Sequence, residues 1–166
     1  MNNFSGWRFF WDMDGVLYDF DRLFREVMPG VDIENDDAWS WEQLHQKCPQ
    51  MYLLGQDIPG SVQLFHDMAA HGENFILTAV PRRWSWPDVT KHKRTWATFH
   101  LDIHPEKVRF GPYAEDKQYH CLGPKDVLID DRVRNIQQWE CQGGTGIEFK
   151  SASQARKVLN NLLYPK

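Results

Sequence analysis

Arg8-Phe9-Phe10-Trp11-Asp12-Met13-Asp14-Gly15-Val16-Leu17-Tyr18-Asp19-Phe20 is the stretch on which the reading of this chain turns. Its first part, Arg8 to Met13, is aromatic and apolar and predicts a buried strand. That strand runs straight into two carboxylates, Asp12 and Asp14. Side chains alternate along a strand, so the two acids point the same way if the strand persists that far. Gly15 then lets the chain turn sharply out of the sheet. Ionised acids are costly to bury without a partner. Two of them at the carboxyl end of a central strand sit where open α/β sheets bind ligands. The plain alternative is a solvated strand-to-loop turn that happens to carry two Asp.

Working outward, the next regular stretch is Phe20 to Met28, with apolar residues at helical spacing and Pro29-Gly30 as its stop. Val31 to Asp57 shows no β-like alternation and reads as short helices and loops, a small cap over Asp12 and Asp14. Ser61 to His71 is a second helix, with Gly72 as its stop. Asn74 to Thr78 is a buried strand ending in a hydroxyl. Ala79 to Pro87 is a loop bearing Trp and Arg, and Asp88 to Phe99 a helix. Val108 to Phe110 is a short strand, and Gly111 to Pro124 a loop containing Asp116 and Lys117. Asp126 to Ile129 is a strand that again ends in acids, Asp130 and Asp131. Ile136 to Glu140 is helical, Ile147 to Phe149 is the last strand, and Ala152 to Leu163 is an amphipathic helix.

Strands alternating with helices imply a parallel sheet covered on both faces. The expected class is α/β, a Rossmann-like three-layer parallel sheet with a small helical cap inserted after the first strand. Residues 1–19 and 59–166 form the core and residues 20–58 the cap. The 166 residues suffice for one such domain. A net charge of −4 gives no overall attraction to nucleic acid, which would need a local basic face. Cys48, Cys121 and Cys141 form no CxxC pair, so free thiols and a cytoplasmic location are expected. No stretch resembles a membrane span or a secretion signal. The histidines show no metal spacing; His100 and His104 read as structural. Gly143 to Gly146 lacks the strand before it that a dinucleotide loop needs, and reads as a turn.

Parallel connection would gather Asp12, Asp14, Thr78, Asp130 and Asp131 on one edge. Two unit charges about 4 Å apart repel by roughly 4 kcal/mol at an effective dielectric near 20, so the cluster needs protons or a cation. An all-oxygen site suits a hard divalent ion such as Mg²⁺, which shares its shell with water and phosphate. A carboxylate is also a competent nucleophile toward phosphorus. Thr78 is placed to bond a phosphate oxygen. Lys117 is the favoured charge partner, because Lys125 adjoins the start of its strand and so the wrong edge.

Asp12 to Leu17, Phe75 to Thr78, Lys117, and Leu128 to Asp131 together resemble the four motifs of the haloacid dehalogenase-like phosphatase superfamily. More closely, the opening resembles the Asp-Met-Asp-Gly-Val-Leu-Ala-Asp-Phe of the 5'(3')-deoxyribonucleotidases. Pro59-Gly60, Lys93 with Trp96, and Asp116-Lys117 also resemble segments of that family. The resemblance implies Asp12 as nucleophile and Asp14 as general acid and base, with the Asp14 backbone carbonyl also binding Mg²⁺. It implies Asp131 as a further Mg²⁺ ligand with Asp130 in support, and Thr78 and Lys117 holding the phosphate. Phe20 falls where the family packs the nucleobase, and Trp39 and Trp41 where its cap closes. The implied substrate is a small nucleotide.

The chain departs from that pattern at Ala79, where the family has a second hydroxyl, and in longer segments from Val80 to His92 and from Lys117 to Asp130. Phe20 fits a helix core face equally well, and Trp39 and Trp41 fit the core of a cap. Arg82, Arg83, Lys91, Lys93 and Arg94 are either a solvated face or a contact for a second phosphate or a nucleic-acid end. Two rivals therefore stand beside a nucleotide phosphatase: a polynucleotide 3'-phosphatase, and a non-catalytic binding module that kept the fold.

Overall fold

A computed structural model of the chain describes residues 6–32, 38–80, 86–111 and 113–165, without the side chains at 38–39 and 86–87. The Arg82 position and the Trp39 side chain, both expected near a substrate, lie outside the described residues, as do Arg83 and Trp84.

Strands β1 (Trp7–Trp11), β2 (Gly72–Thr78), β3 (Val108–Phe110), β4 (Asp126–Asp130) and β5 (Thr145–Glu148) form one sheet in the order β3-β2-β1-β4-β5. Every pairing is parallel. The α/β, Rossmann-like class expected from the alternation of elements is the one observed. Central β1 carries Phe9, Phe10 and Trp11 without solvent exposure, and their alternation decides which layer each side chain enters. Phe9 and Trp11 enter the larger cluster, with Leu64, Phe65 and Met68 of α4 (Ser61–Met68). Trp96, Ala97 and Leu101 of α5 (Trp86–Leu101) and Ala155 and Leu159 of α7 (Ala152–Leu163) join it. Phe10 points the other way, onto Phe75, Leu77, Leu128, and Ile136 and Trp139 of α6 (Val133–Cys141). Helices on both faces make three layers.

The remaining helices are α1 (Phe20–Val27), α2 (Ala38–Lys47) and α3 (Met51–Leu54). The two ends of the segment that holds them are adjacent: Asp19 N donates to Gln56 O at 2.8 Å and Ile58 N to Leu17 O at 2.9 Å. Phe20, Leu23 and Phe24 of α1, Leu44 of α2, and Met51 and Tyr52 of α3 bury their side chains in the larger cluster, alongside Met13 and Leu17. Among the described residues, no helix is long and apolar enough to cross a membrane.

Several boundaries differ from expectation: the last strand is Thr145–Glu148, taking in part of the expected turn at 143–146, and α5 and α6 are longer than expected. Three further differences have local reasons. The first strand ends at Trp11, not Met13. Met13 O accepts from Val16, Leu17 and Tyr18, at 3.3, 2.9 and 2.8 Å, and closes a tight turn through Gly15 at φ +79°. Gly72 opens β2 instead of ending α4, because a Cβ there would overlap the Trp7 carbonyl of the neighbouring strand. The expected loop from Gly111 to Pro124 contains a 3₁₀ helix, Ala114–His120, whose start is tied by Tyr113 N donating to Asp116 Oδ2 at 3.0 Å.

Candidate active site

β1 leads on to β2 on one side, and after β3 the chain crosses back to place β4 on the other side of β1. A crevice therefore opens at the carboxyl ends of β1 and β4, the topological switch point where such sheets take ligands. Asp12 N donates to Ile129 O at 2.9 Å, which levels Asp12 with the end of β4. One carboxylate oxygen each from Asp12, Asp130 and Asp131 lies within 4.8 Å of the others.

Lys117 is the cation of this cluster. The 3₁₀ helix turns it inward until it is 2% exposed. Its Nζ lies 2.8 Å from Asp12 Oδ1 and 2.7 Å from Asp130 Oδ2. Burial lowers the Lys117 pKa, but Asp12 and Asp130 outweigh it and leave the ammonium above its ordinary value. These two partners leave one of its three N–H donors for a ligand oxygen.

The three acids are not equivalent. Asp130 has no exposed surface. Besides Lys117, Arg132 N donates to its Oδ1 at 2.9 Å, and Asn135 Nδ2 lies 3.0 Å from both oxygens. Asp130 is thus a saturated acceptor that fixes Lys117, in a supporting place. Asp131 stands exposed at the rim, with its carboxyl against Gly15. Desolvation of that carboxyl, then Asp130, push Asp131 up to about 6. Asp12 is pushed up to about 7, first by burial and then, against the pull of Lys117, by Asp130, Asp131 and Asp14. One ammonium does not neutralise the group, and a proton or a second cation completes it. All-oxygen donors with one buried and one rim carboxylate, Asp12 and Asp131, fit a Mg²⁺ ion that keeps waters.

Asp14 does not share this cluster through its side chain. Its Oδ2 accepts from Lys93 Nζ at 2.6 Å. Oδ1 is shielded from solvent and accepts no hydrogen bond among the described residues. Thr78 ends β2 fully buried, its hydroxyl 2.9 Å from Lys93 Nζ. Lys93, expected at a substrate phosphate, is instead fully buried behind Asp14 and Thr78.

Phe20 is 8% exposed and lies in an aromatic group. Its ring stacks on Trp41 at 5.3 Å and on Tyr52 at 6.4 Å between centroids. Trp41 is half-buried. Lys91 and Arg94 are exposed on α5 and the Arg94 guanidinium lies 5.1 Å over the Phe110 ring.

Two participants escaped sequence reasoning. Asn135 belongs to the first turn of α6, five residues after Asp130; the signal was a polar residue where a helix after an acidic strand end turns inward. Tyr52, 4.5 Å below Lys93 Nζ, gave no local signal at all.

No protein-family model matches the chain, and no curated protein matches it in sequence. Solved structures do. A haloacid dehalogenase-like hydrolase from Streptococcus pneumoniae is 15% identical, with 94% of this chain and 90% of that one covered at a TM-score of 0.62. One from Xanthomonas campestris is 10% identical, covering 98% and 94% at 0.62. A family hydrolase from Deinococcus radiodurans, solved with bound phosphate and sodium, is 14% identical, covering 94% and 89% at 0.54. At these identities the likeness is one of fold, and the chain has the haloacid dehalogenase-like fold.

Proposed function

We propose that this chain is a Mg²⁺-dependent phosphomonoesterase that dephosphorylates deoxyribo- or ribonucleoside monophosphates through an aspartyl-phosphate. The observation that carries the reading is Lys117 held between Asp12 and Asp130 while Asp12 and Asp131 converge on the same crevice. A buried nucleophile beside a fixed cation, at the switch point of this fold, is what transfer of a phosphoryl group asks of a protein.

Asp12 and Asp131 would hold the Mg²⁺, with Asp130 behind them and the Asp14 carbonyl as a further oxygen. Bound there, the ion supplies charge stabilisation to the phosphoryl oxygens. The chain's own residues do the rest. Lys117 and Thr78 hold the phosphate, and an oxygen of Asp12 attacks phosphorus. The bond to the leaving sugar oxygen breaks as that oxygen takes a proton from Asp14. A water then attacks the aspartyl-phosphate, gives its proton to Asp14, and releases phosphate and the Asp12 carboxylate. Uncatalysed monoester hydrolysis is so slow that the site must supply on the order of 20 kcal/mol.

Residues 20–58 serve in this reading as a small cap. Phe20, stacked on Trp41, is the residue that would pack against the base. A small-molecule nucleotide in the cytoplasm is the partner this implies. The test is a phosphate-release screen over deoxynucleotides, ribonucleotides and 3'-phosphorylated oligonucleotides, with Mg²⁺ and with chelator. Release from mononucleotides that stops with chelator supports the reading. Activity confined to oligonucleotide ends makes it a polynucleotide phosphatase, and none on any substrate leaves a binding module.

A further inference from the structure

The buried lysine of α5, Lys93, has an occupation that the phosphatase reading does not use. Lys93 has no exposed surface. Its Nζ donates to Asp14 Oδ2 at 2.6 Å, to Thr78 Oγ1 at 2.9 Å and to Ala79 O at 2.8 Å. It also sits 4.5 Å over the Tyr52 ring. An ammonium has three N–H groups and no acceptor, so these partners consume every donor. Nothing remains for a substrate phosphate. The Thr78 and Ala79 contacts pin Nζ to the end of β2. Among the described residues, the one charged partner in this nest is Asp14.

The consequence falls on the carboxylate. Asp14 leaves β1 in a turn, where nothing in the local backbone fixes its side chain. Lys93 takes one oxygen, Oδ2, and the other, Oδ1, has no hydrogen-bond partner among the described residues. We propose that Lys93 is a positioning residue for Asp14. It anchors the Asp14 carboxylate to the β2 edge, and so fixes the group that serves the leaving alkoxide and then the hydrolytic water. This inference rests on the phosphatase reading above and assigns Lys93 no contact with substrate.

The experiment uses the full chain with Mg²⁺ and two substrates that differ in leaving group. p-Nitrophenyl phosphate expels a phenolate that needs little protonation; a deoxynucleoside 5'-monophosphate expels an alkoxide that needs it. In Lys93→Met, kcat on the deoxynucleotide is expected to fall ~100-fold, and on the aryl phosphate less than ~5-fold, the loss expected when general-acid help alone is impaired. Lys93→Gln, which keeps the length and a neutral donor, should show the same selectivity in milder form. It also serves if the methionine variant does not fold. Equal losses on the two substrates in the folded variant, or no loss on the deoxynucleotide, overturn the inference alone. Wild-type protein inactive on both substrates overturns the phosphatase reading and this inference with it.

Discussion

Gly15 lies flat against the Asp131 carboxyl group: a side-chain carbon at Gly15 would overlap Oδ2 and stand 2.8 Å from Cγ. The backbone there is at φ +79°, in the left-handed region. The glycine after the two acids of the opening stretch is thus demanded twice, once by the turn and once by a carboxylate delivered from far downstream. Gly15→Ala is expected to cost about 1–2 kcal/mol from backbone conformation alone. It should also push Asp131 off its place. Thermal melts with and without Mg²⁺ check this: the variant should melt lower, and a rise in melting temperature with Mg²⁺, expected of the wild type, should be lost.

Asp12→Asn separates chemistry from folding. The Asp12 carboxyl is already pushed up to about 7 by burial and its acidic neighbours. A neutral amide of the same shape therefore costs the metal-free fold little. The melting temperature without Mg²⁺ should stay level or rise, while phosphate release drops on the order of 10³-fold or more, as loss of a nucleophile does elsewhere. A variant that hydrolyses nucleotides normally would mean that Asp12 is not the nucleophile.

Lys117→Met should damage both. Removing one partner of a buried ionic group strands the others, here Asp12 and Asp130, at about 3–5 kcal/mol. Lys125→Met is the matched control. Lys125 is exposed beside the start of β4, so its loss should stay within about 0.5 kcal/mol. Urea unfolding of the two variants reads the contrast directly.

Asn135 holds Asp130 from the first turn of α6, its Nδ2 3.0 Å from each carboxylate oxygen. Asn135→Ala leaves a buried carboxylate short of donors, at about 1–3 kcal/mol. The Lys117 ammonium loses its fixed backstop, so turnover should fall as well. Unchanged stability in urea would show that Lys117 and the Arg132 amide suffice to satisfy Asp130.

His120 gives a pH dependence that can be isolated. Burial first, and then the Arg109 charge, lower its pKa from 6.5, while a hydrogen bond to the Phe110 backbone works the other way. Below pH 6.5 the unfolded chain takes a proton that the folded chain resists, so the unfolded state binds more protons there. The His120 contribution to stability is full above 6.5 and is lost as pH falls through its lower folded value. Asp12 and Asp131, raised to about 7 and about 6, tilt the metal-free curve the opposite way. The readout is therefore a difference: wild type minus His120→Asn, by urea unfolding between pH 7.5 and 5, should shrink as pH falls. A difference independent of pH would remove His120 from the account.

The elements and their order were legible because their signals are local. Phe9, Phe10 and Trp11 are apolar on both faces, as a strand between two helical layers requires, and the ends of β1 and β4 carried visible acids. What misled was the assumption that β1 keeps its alternation through Asp14. The Met13 carbonyl gathers three amides and ends the strand at Trp11. Nor did the segment around Lys117 announce a helix. Its 3₁₀ turn is held by one side-chain cap at Asp116 and by Lys117 reaching acids on other elements.

The linear chain by itself determined a parallel α/β sheet, the edge on which its acids collect, and the choice of Lys117 over Lys125. Each of these follows from the periodicity of apolar residues and from parallel connection, which puts all carboxyl ends together. Only the tertiary structure decided which cation serves which acid: Lys117 for Asp12 and Asp130, Lys93 for Asp14. A lysine side chain is long and flexible, and its partner is chosen by where packing leaves its tip. That is settled between residues far apart along the chain, after the core has closed around them.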